Sequence, residues 1–122
     1  MMKTILIVEH AATHRDLLVH CLKDDYTVVT AADGATAVEL AERTEPDLIF
    51  MALALPVLVG DEAIRRIKSQ RRLHDIPIIA LSAHTMPGAA ASTRAAGCAD
   101  SLQTPIDEDQ LYATVRKFLG GG

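Results

Sequence analysis

Side chains able to do chemistry gather at the ends of short apolar runs. Ile5-Leu6-Ile7-Val8 leads into Glu9 and His10, Ile76 to Leu81 leads into Ser82 and His84, and Ser101-Leu102-Gln103 leads into Thr104 and Pro105. A carboxylate beside an imidazole, with a second imidazole after another run, is a donor set that zinc or another transition metal could use. His10 beside Glu9 could instead titrate near neutral pH and act as a latch. Ser82 or His10 could accept a phosphoryl group, but Ser82 has no adjacent base to activate its hydroxyl. The plainer reading, polar residues rimming a pocket without ligand or reaction, is preferred for all of them. No glycine falls between Glu9 and His14. A phosphate-cradling loop for a flavin or nucleotide is therefore not expected there.

The runs themselves must position these groups. Short, continuous stretches of β-branched and apolar residues are the pattern of strands buried on both faces. Ile5–Val8, Leu48–Met51 and Ile76–Leu81 fit it and are expected as central strands. Tyr26–Thr30 mixes polar with β-branched residues and Ser101–Gln103 is short, so both belong toward the sheet edges.

Helical spacing fills the intervals. Thr13 and Asp16 form a capping-box-like start for a first helix with Leu17, Leu18, Cys21 and Leu22 on one face. Asp33-Gly34 opens a second, with Ala37, Val38 and Ala41 in a stripe and Pro46 as its stop. Ile64 and Ile67 mark a third. Residues 86–96 are alanine-rich, so a fourth helix there would form readily yet bury little volume. Asp107 with Gln110 caps a fifth, in which Leu111, Val115 and Leu119 recur in steps of four before Gly120. Strands alternating with helices imply an α/β sandwich, a five-stranded parallel sheet covered on both faces. Right-handed crossovers narrow its order to 2-1-3-4-5, as in flavodoxin-like (βα)5 folds. In such a sheet, functional groups lie at the carboxyl ends of the first, third and fourth strands.

At 122 residues and 49% hydrophobic, the chain can close one core. Residues 1–119 are read as one domain and 120–122 as a glycine tail. The apolar runs are far shorter than the roughly 20 residues of a membrane span, and Met1-Met2-Lys3 enters the first strand without a signal-peptide pattern. A soluble, cytoplasmic protein with no membrane partner is expected. Cys21 and Cys98 match no metal spacing and are expected as buried thiols. A net charge of −4 with scattered Lys and Arg, two Tyr and two Phe argues against nucleic acid as a partner. Lys68, Arg71 and Arg72 form a basic patch that reads as solvated surface.

Four segments, ILIVEH with His14-Arg15 and Leu17-Leu18, PDLIFMALALP with Gly60, IPIIALSAH, and AAGCADSLQTPID, come in an order and spacing that resembles the CheY-like receiver domain of response regulators. The resemblance covers essentially the whole chain. It implies phosphorylation of an aspartate at the end of the third strand, with an acidic pair at the end of the first helping to hold magnesium. It also implies a lysine before the proline of the last strand and a Ser or Thr after the fourth strand, both contacting the phosphoryl group. In this sequence the phosphoacceptor position is Ala52, the acidic pair is Glu9-His10, the lysine position ahead of Pro105 is Thr104, and the aromatic switch position is Ser101. Only Glu9 and Ser82 match.

The expectation is an atypical receiver, a signalling module that is not an enzyme and not phosphorylated at the usual place. Mg2+ binding is expected to be lost, because one carboxylate is a poor site for an ion that demands several oxygen ligands, and no other cofactor is expected. Losing carboxylates and lysine together relieves both the mutual repulsion of clustered carboxylates and the cost of a lysine charge left uncompensated. The expected partner is a protein, docking on the face formed by the fourth helix, fifth strand and fifth helix, or a second copy making a homodimer. The alternatives are a structural dimerisation module or a small-ligand or metal-binding protein of the same fold.

Overall fold

The apolar runs become strands because their side chains are covered on both sides. The computed structural model describes residues 2–83 and 96–120. Its strands are β1 (Thr4–Val8), β2 (Thr27–Ala31), β3 (Leu48–Ala52), β4 (Ile78–Ala83) and β5 (Asp100–Thr104). They form one five-stranded sheet in the order β2-β1-β3-β4-β5, and each neighbouring pair is parallel. This is the flavodoxin-like order read from the alternation of elements. All of β3 and Ile5–Val8 of β1 are buried, whereas the edge strands β2 and β5 are part-exposed. The register sets Val8 against Met51 and Ala52 against Leu81, so the carboxyl ends of the central strands come out level. β4 starts at Ile78, two residues later than its apolar run, and it continues through Ser82, which therefore lies within the strand.

The helices are α1 (Ala12–Leu22), α2 (Gly34–Thr44), α3 (Gly60–Lys68) and a C-terminal helix (Glu108–Leu119). The capping box expected at Thr13 and Asp16 does not form. Ala11 occupies the N-cap without a side-chain bond, because α1 is entered directly from β1 and the Glu9 carboxylate accepts the Ala11 N–H at 3.1 Å. Leu18 and Leu22, four apart, face the core, but Leu17 is turned one residue around the helix and is 37% exposed. Cys21, expected to be buried, is only half-buried. Its thiol donates to Glu108 Oε1 at 3.1 Å, and burial together with that carboxylate raises its pKa. Cys98 is buried as expected.

The other helix signals hold. Asp33 accepts the Thr36 N–H at 2.7 Å at the start of α2, and that bond above all holds its carboxyl below the usual range. α2 ends at Thr44 with Glu45 in the left-handed region at φ 43°, where its N–H donates to the Ala41 carbonyl at 3.0 Å and Pro46 follows, a residue that cannot continue the helix. Ile64 and Ile67 are fully buried under α3. Asp107 accepts the Gln110 N–H at 3.1 Å, and Leu111 and Val115 reach the core while Leu119 is only partly buried. The basic patch is not wholly free surface. Lys68 Nζ donates to the carbonyls of His74 at 2.9 Å and Ile76 at 2.6 Å, and Arg72 pairs with Glu45 at 3.2 Å. The helix expected over 86–96, Ala96 excepted, and His84 lie outside the described residues. No helix among the described residues is long and apolar enough to cross a membrane.

Candidate functional site

Parallel strands leave their carboxyl ends open, with the following helices splayed around them. At that end is a cleft of about 270 Å³. It is lined by Glu9, His10, Ala11 and His14 from the β1–α1 segment, by Ala52 and Ala54 from the end of β3, by Leu81 of β4, and by Thr104 of β5. Four positions singled out in the sequence, Glu9, His10, Ala52 and Thr104, are thus brought together by the sheet register.

Glu9 is the anchor. Its backbone N–H donates to the Ala31 carbonyl at 3.0 Å, carrying the β1–β2 pairing one step past β1. Glu9 is buried at 7% exposure; its side chain takes the Ala11 N–H and has His14 Nδ1 3.9 Å from Oε1. Arg15 folds back in the same place, donating from Nη1 to the Glu9 carbonyl at 2.9 Å and to the His10 carbonyl at 3.5 Å. Sequence reading did not place His14 or Arg15 in the site. Their approach depends on α1 turning back over the end of β1, which no residue pattern announces.

Ala52 is 4% exposed and presents a methyl group where β3 ends. Opposite, the Thr104 hydroxyl donates to the Ser82 carbonyl at 3.5 Å. Ser82 therefore meets the site through its backbone, and its side chain is not among the cleft lining. Pro105 is exposed and follows a cis peptide after Thr104. Ser101 sits back along β5, paired with Ala80 and with its N–H bonded to the Asp100 side chain at 2.8 Å. These two flank the cleft and do not line it. His84, the third member of the shared metal site considered with Glu9 and His10, lies outside the described residues. Among the described residues no cluster of three or more His, Cys, Asp or Glu is placed to hold a metal ion.

In chemical terms the cleft holds one carboxylate, two imidazoles on its β1–α1 side, one hydroxyl and an apolar floor. A parallel sheet of this order, with a cleft at the carboxyl ends of its central strands, is a flavodoxin-like α/β sandwich. The family described as "Response regulator receiver domain" matches residues 5–116. The chain is 31% identical over 121 residues to the polar-differentiation response regulator DivK of Brucella ovis, covering 98% of each. It superposes with a TM-score of 0.91 and 34% identity on the receiver domain of sensor histidine kinase PA1611 from Pseudomonas aeruginosa PAO1, covering 99% of this chain and 100% of that one; that domain has a magnesium ion coordinated in its active site cleft. Chemotaxis response regulator CheY4 of Vibrio cholerae matches with a TM-score of 0.90 and 28% identity, covering 97% and 99%. The chain belongs to the response regulator receiver family and is a receiver domain of two-component signalling.

Proposed function

We propose that this receiver does not take a phosphoryl group at the end of β3 and signals by binding a protein partner in one fixed state. The observation that carries the reading is Ala52, a methyl group at the carboxyl end of β3 inside the cleft. A methyl offers no oxygen to attack phosphorus. Phosphoryl transfer depends almost wholly on positioning and charge stabilisation, and two of the parts that would supply these are also replaced, the second acidic residue by His10 and the lysine by Thr104. Thr104 carries no charge to offset the phosphoryl oxygens.

The residues present do not fit magnesium. The ion requires near-octahedral oxygen coordination and gives up water reluctantly. Glu9 offers one carboxylate, and one of its oxygens already accepts the Ala11 N–H and faces His14. Ala52 and His10 supply no further anionic oxygen.

The test is intact-protein mass and magnesium calorimetry on the full chain. With acetyl phosphate and magnesium, the natural chain is expected to keep its mass and give no binding heat. The variant carrying Ala52→Asp, His10→Asp and Thr104→Lys is expected to gain a phosphoryl adduct. An acyl phosphate on the natural chain, or tight magnesium uptake by it, overturns the reading.

A further inference from the structure

The end of the fold remote from the cleft carries a second hollow, of about 240 Å³. It lies where α1 ends, where the chain enters β2, and where the C-terminal helix finishes. Leu22 and Val115, both buried, form its floor, and the half-buried rings of Tyr26 and Tyr112 wall it. Asp25 and Arg116 stand at its rim, both exposed.

Hydrogen bonds fix what the walls present. Asp25 and Tyr26 belong to a turn in which both N–H groups donate to the Leu22 carbonyl, at 3.2 and 3.0 Å. Tyr112 is held by its hydroxyl, which donates to the Cys21 carbonyl at 3.4 Å. Arg116 sits in the last turn of its helix, where its carbonyl accepts the Gly120 N–H at 2.9 Å. The fold therefore sets the walls, and only the two charged ends are free to swing.

Those two charges are available, whereas their neighbours are engaged. Glu108 accepts the Cys21 thiol and Lys117 pairs with Asp100 at 3.6 Å. Among the described residues the side chains of Asp25 and Arg116 make no hydrogen bond or ion pair, with each other or elsewhere. The Tyr112 hydroxyl titrates above its ordinary value, chiefly through Cys21 and burial, and the Asp25 carboxylate adds to the effect. That carboxylate is thus close to the tyrosine wall.

The set selects its ligand by elimination. Arg116 would repel a plain cation and Asp25 a plain anion. A neutral apolar molecule would desolvate both charges and pair neither. A molecule with an ammonium, a carboxylate and an apolar body meets every demand at once. It must also be small, since the hollow is below the roughly 300 Å³ at which sites for drug-sized ligands begin.

We propose that this hollow binds a free α-amino acid with an apolar side chain, its carboxylate taken by Arg116, its ammonium by Asp25, and its side chain by Leu22, Val115 and the two tyrosine rings. A guanidinium can take a carboxylate through two parallel N–H bonds, which orients the ligand. A molecule seated there touches α1 and the C-terminal helix together, an input to the fold that uses no residue of the cleft. The inference goes beyond the reading of the cleft and does not depend on Ala52.

The probe is L-leucine, titrated into the isotope-labelled full chain at about pH 6.5, where an α-amino group is charged, and followed by amide shifts. Saturable shifts confined to residues 22–26 and 112–120 are expected. N-acetyl-L-leucine lacks the ammonium and L-leucinamide the carboxylate. Each should bind at least about threefold more weakly, the order of a contact between exposed charges. Glycine, without the apolar body, should leave the spectrum unchanged. Asp25→Asn and Arg116→Gln should each weaken leucine by a similar factor and melt with the natural chain, since both side chains are exposed. Arg116→Gln should bind leucine and leucinamide alike, and Asp25→Asn should do the same for leucine and N-acetyl-leucine. Should a variant fail to fold, the analogue series still decides. The inference is overturned if leucine gives no saturable shift, if the shifts fall elsewhere, if glycine or either analogue binds the natural chain as tightly as leucine, or if either folded variant keeps the natural affinity.

Discussion

Gly60 and Ala52 touch backbone to backbone: a Cβ on Gly60 would run into the Ala52 carbonyl and stand 2.7 Å from Leu53 Cα, while the Gly60 N–H donates to the Leu53 carbonyl at 3.1 Å. The first turn of α3 is thereby fastened to the end of β3, at a residue that lines the cleft. Neither partner there is a flexible side chain that could swing away. Gly60→Ala is expected to destabilise the fold by about 1–3 kcal/mol, the range for forcing extra volume into packed structure. Urea unfolding measures it, and an unchanged midpoint would show that the contact is looser than described.

Glu9 joins strand to helix in the same region. Removing its side chain leaves the Ala11 N–H without its acceptor at the start of α1. Glu9→Ala is expected to lose about 1–3 kcal/mol, the penalty of an unmade buried hydrogen bond. Glu9→Gln retains a carbonyl oxygen and should lose less. Equal losses from both substitutions would mean that charge matters more than the hydrogen bond.

Asp33 gives the fold an acid-sensitive element. The Thr36 N–H and hydroxyl lower its carboxyl below the ordinary 3.8. A depressed folded-state value means the unfolded chain takes up the proton first as pH drops. The contribution is therefore complete above the ordinary value and disappears as pH falls through the folded one. The stability gap between the natural chain and Asp33→Ala, from urea unfolding, should be wide at about pH 7 and narrower at about pH 3. A gap that stays constant across that span would refute the cap's electrostatic share.

How far the sequence could be read depended on whether a feature was local or made by packing. β1 and β3 announced themselves because burial on both faces demands unbroken apolar runs, and the alternation with helices then fixed the sheet order. Asp33 and Asp107 are sequence-local caps and were legible as such. Thr13 and Asp16 had the same local pattern, but the tight exit from β1 supplied Glu9 as a competing partner. Within the site, Glu9 and His10 were legible from their place after the first strand, and Ala52 and Thr104 through the resemblance to the receiver family. His14 and Arg15 were not, because the return of α1 brings them there. The turn at Val57, whose φ is 68°, escaped notice for a different reason: turn propensities assign such a backbone to glycine or asparagine, so the apolar run concealed it.

The strand order also bears on how the chain is built. β1 is made first, and of its two neighbours β2 follows after one helix, while β3 arrives only after a second; Ile5 must wait for Leu48. Until then the apolar flank of β1 is covered on one edge alone. Contacts this distant in sequence slow folding relative to local ones. The half-sheet of β1 and β2 is thus the stage of synthesis at which a nascent chain would be most exposed to mispairing with its neighbours.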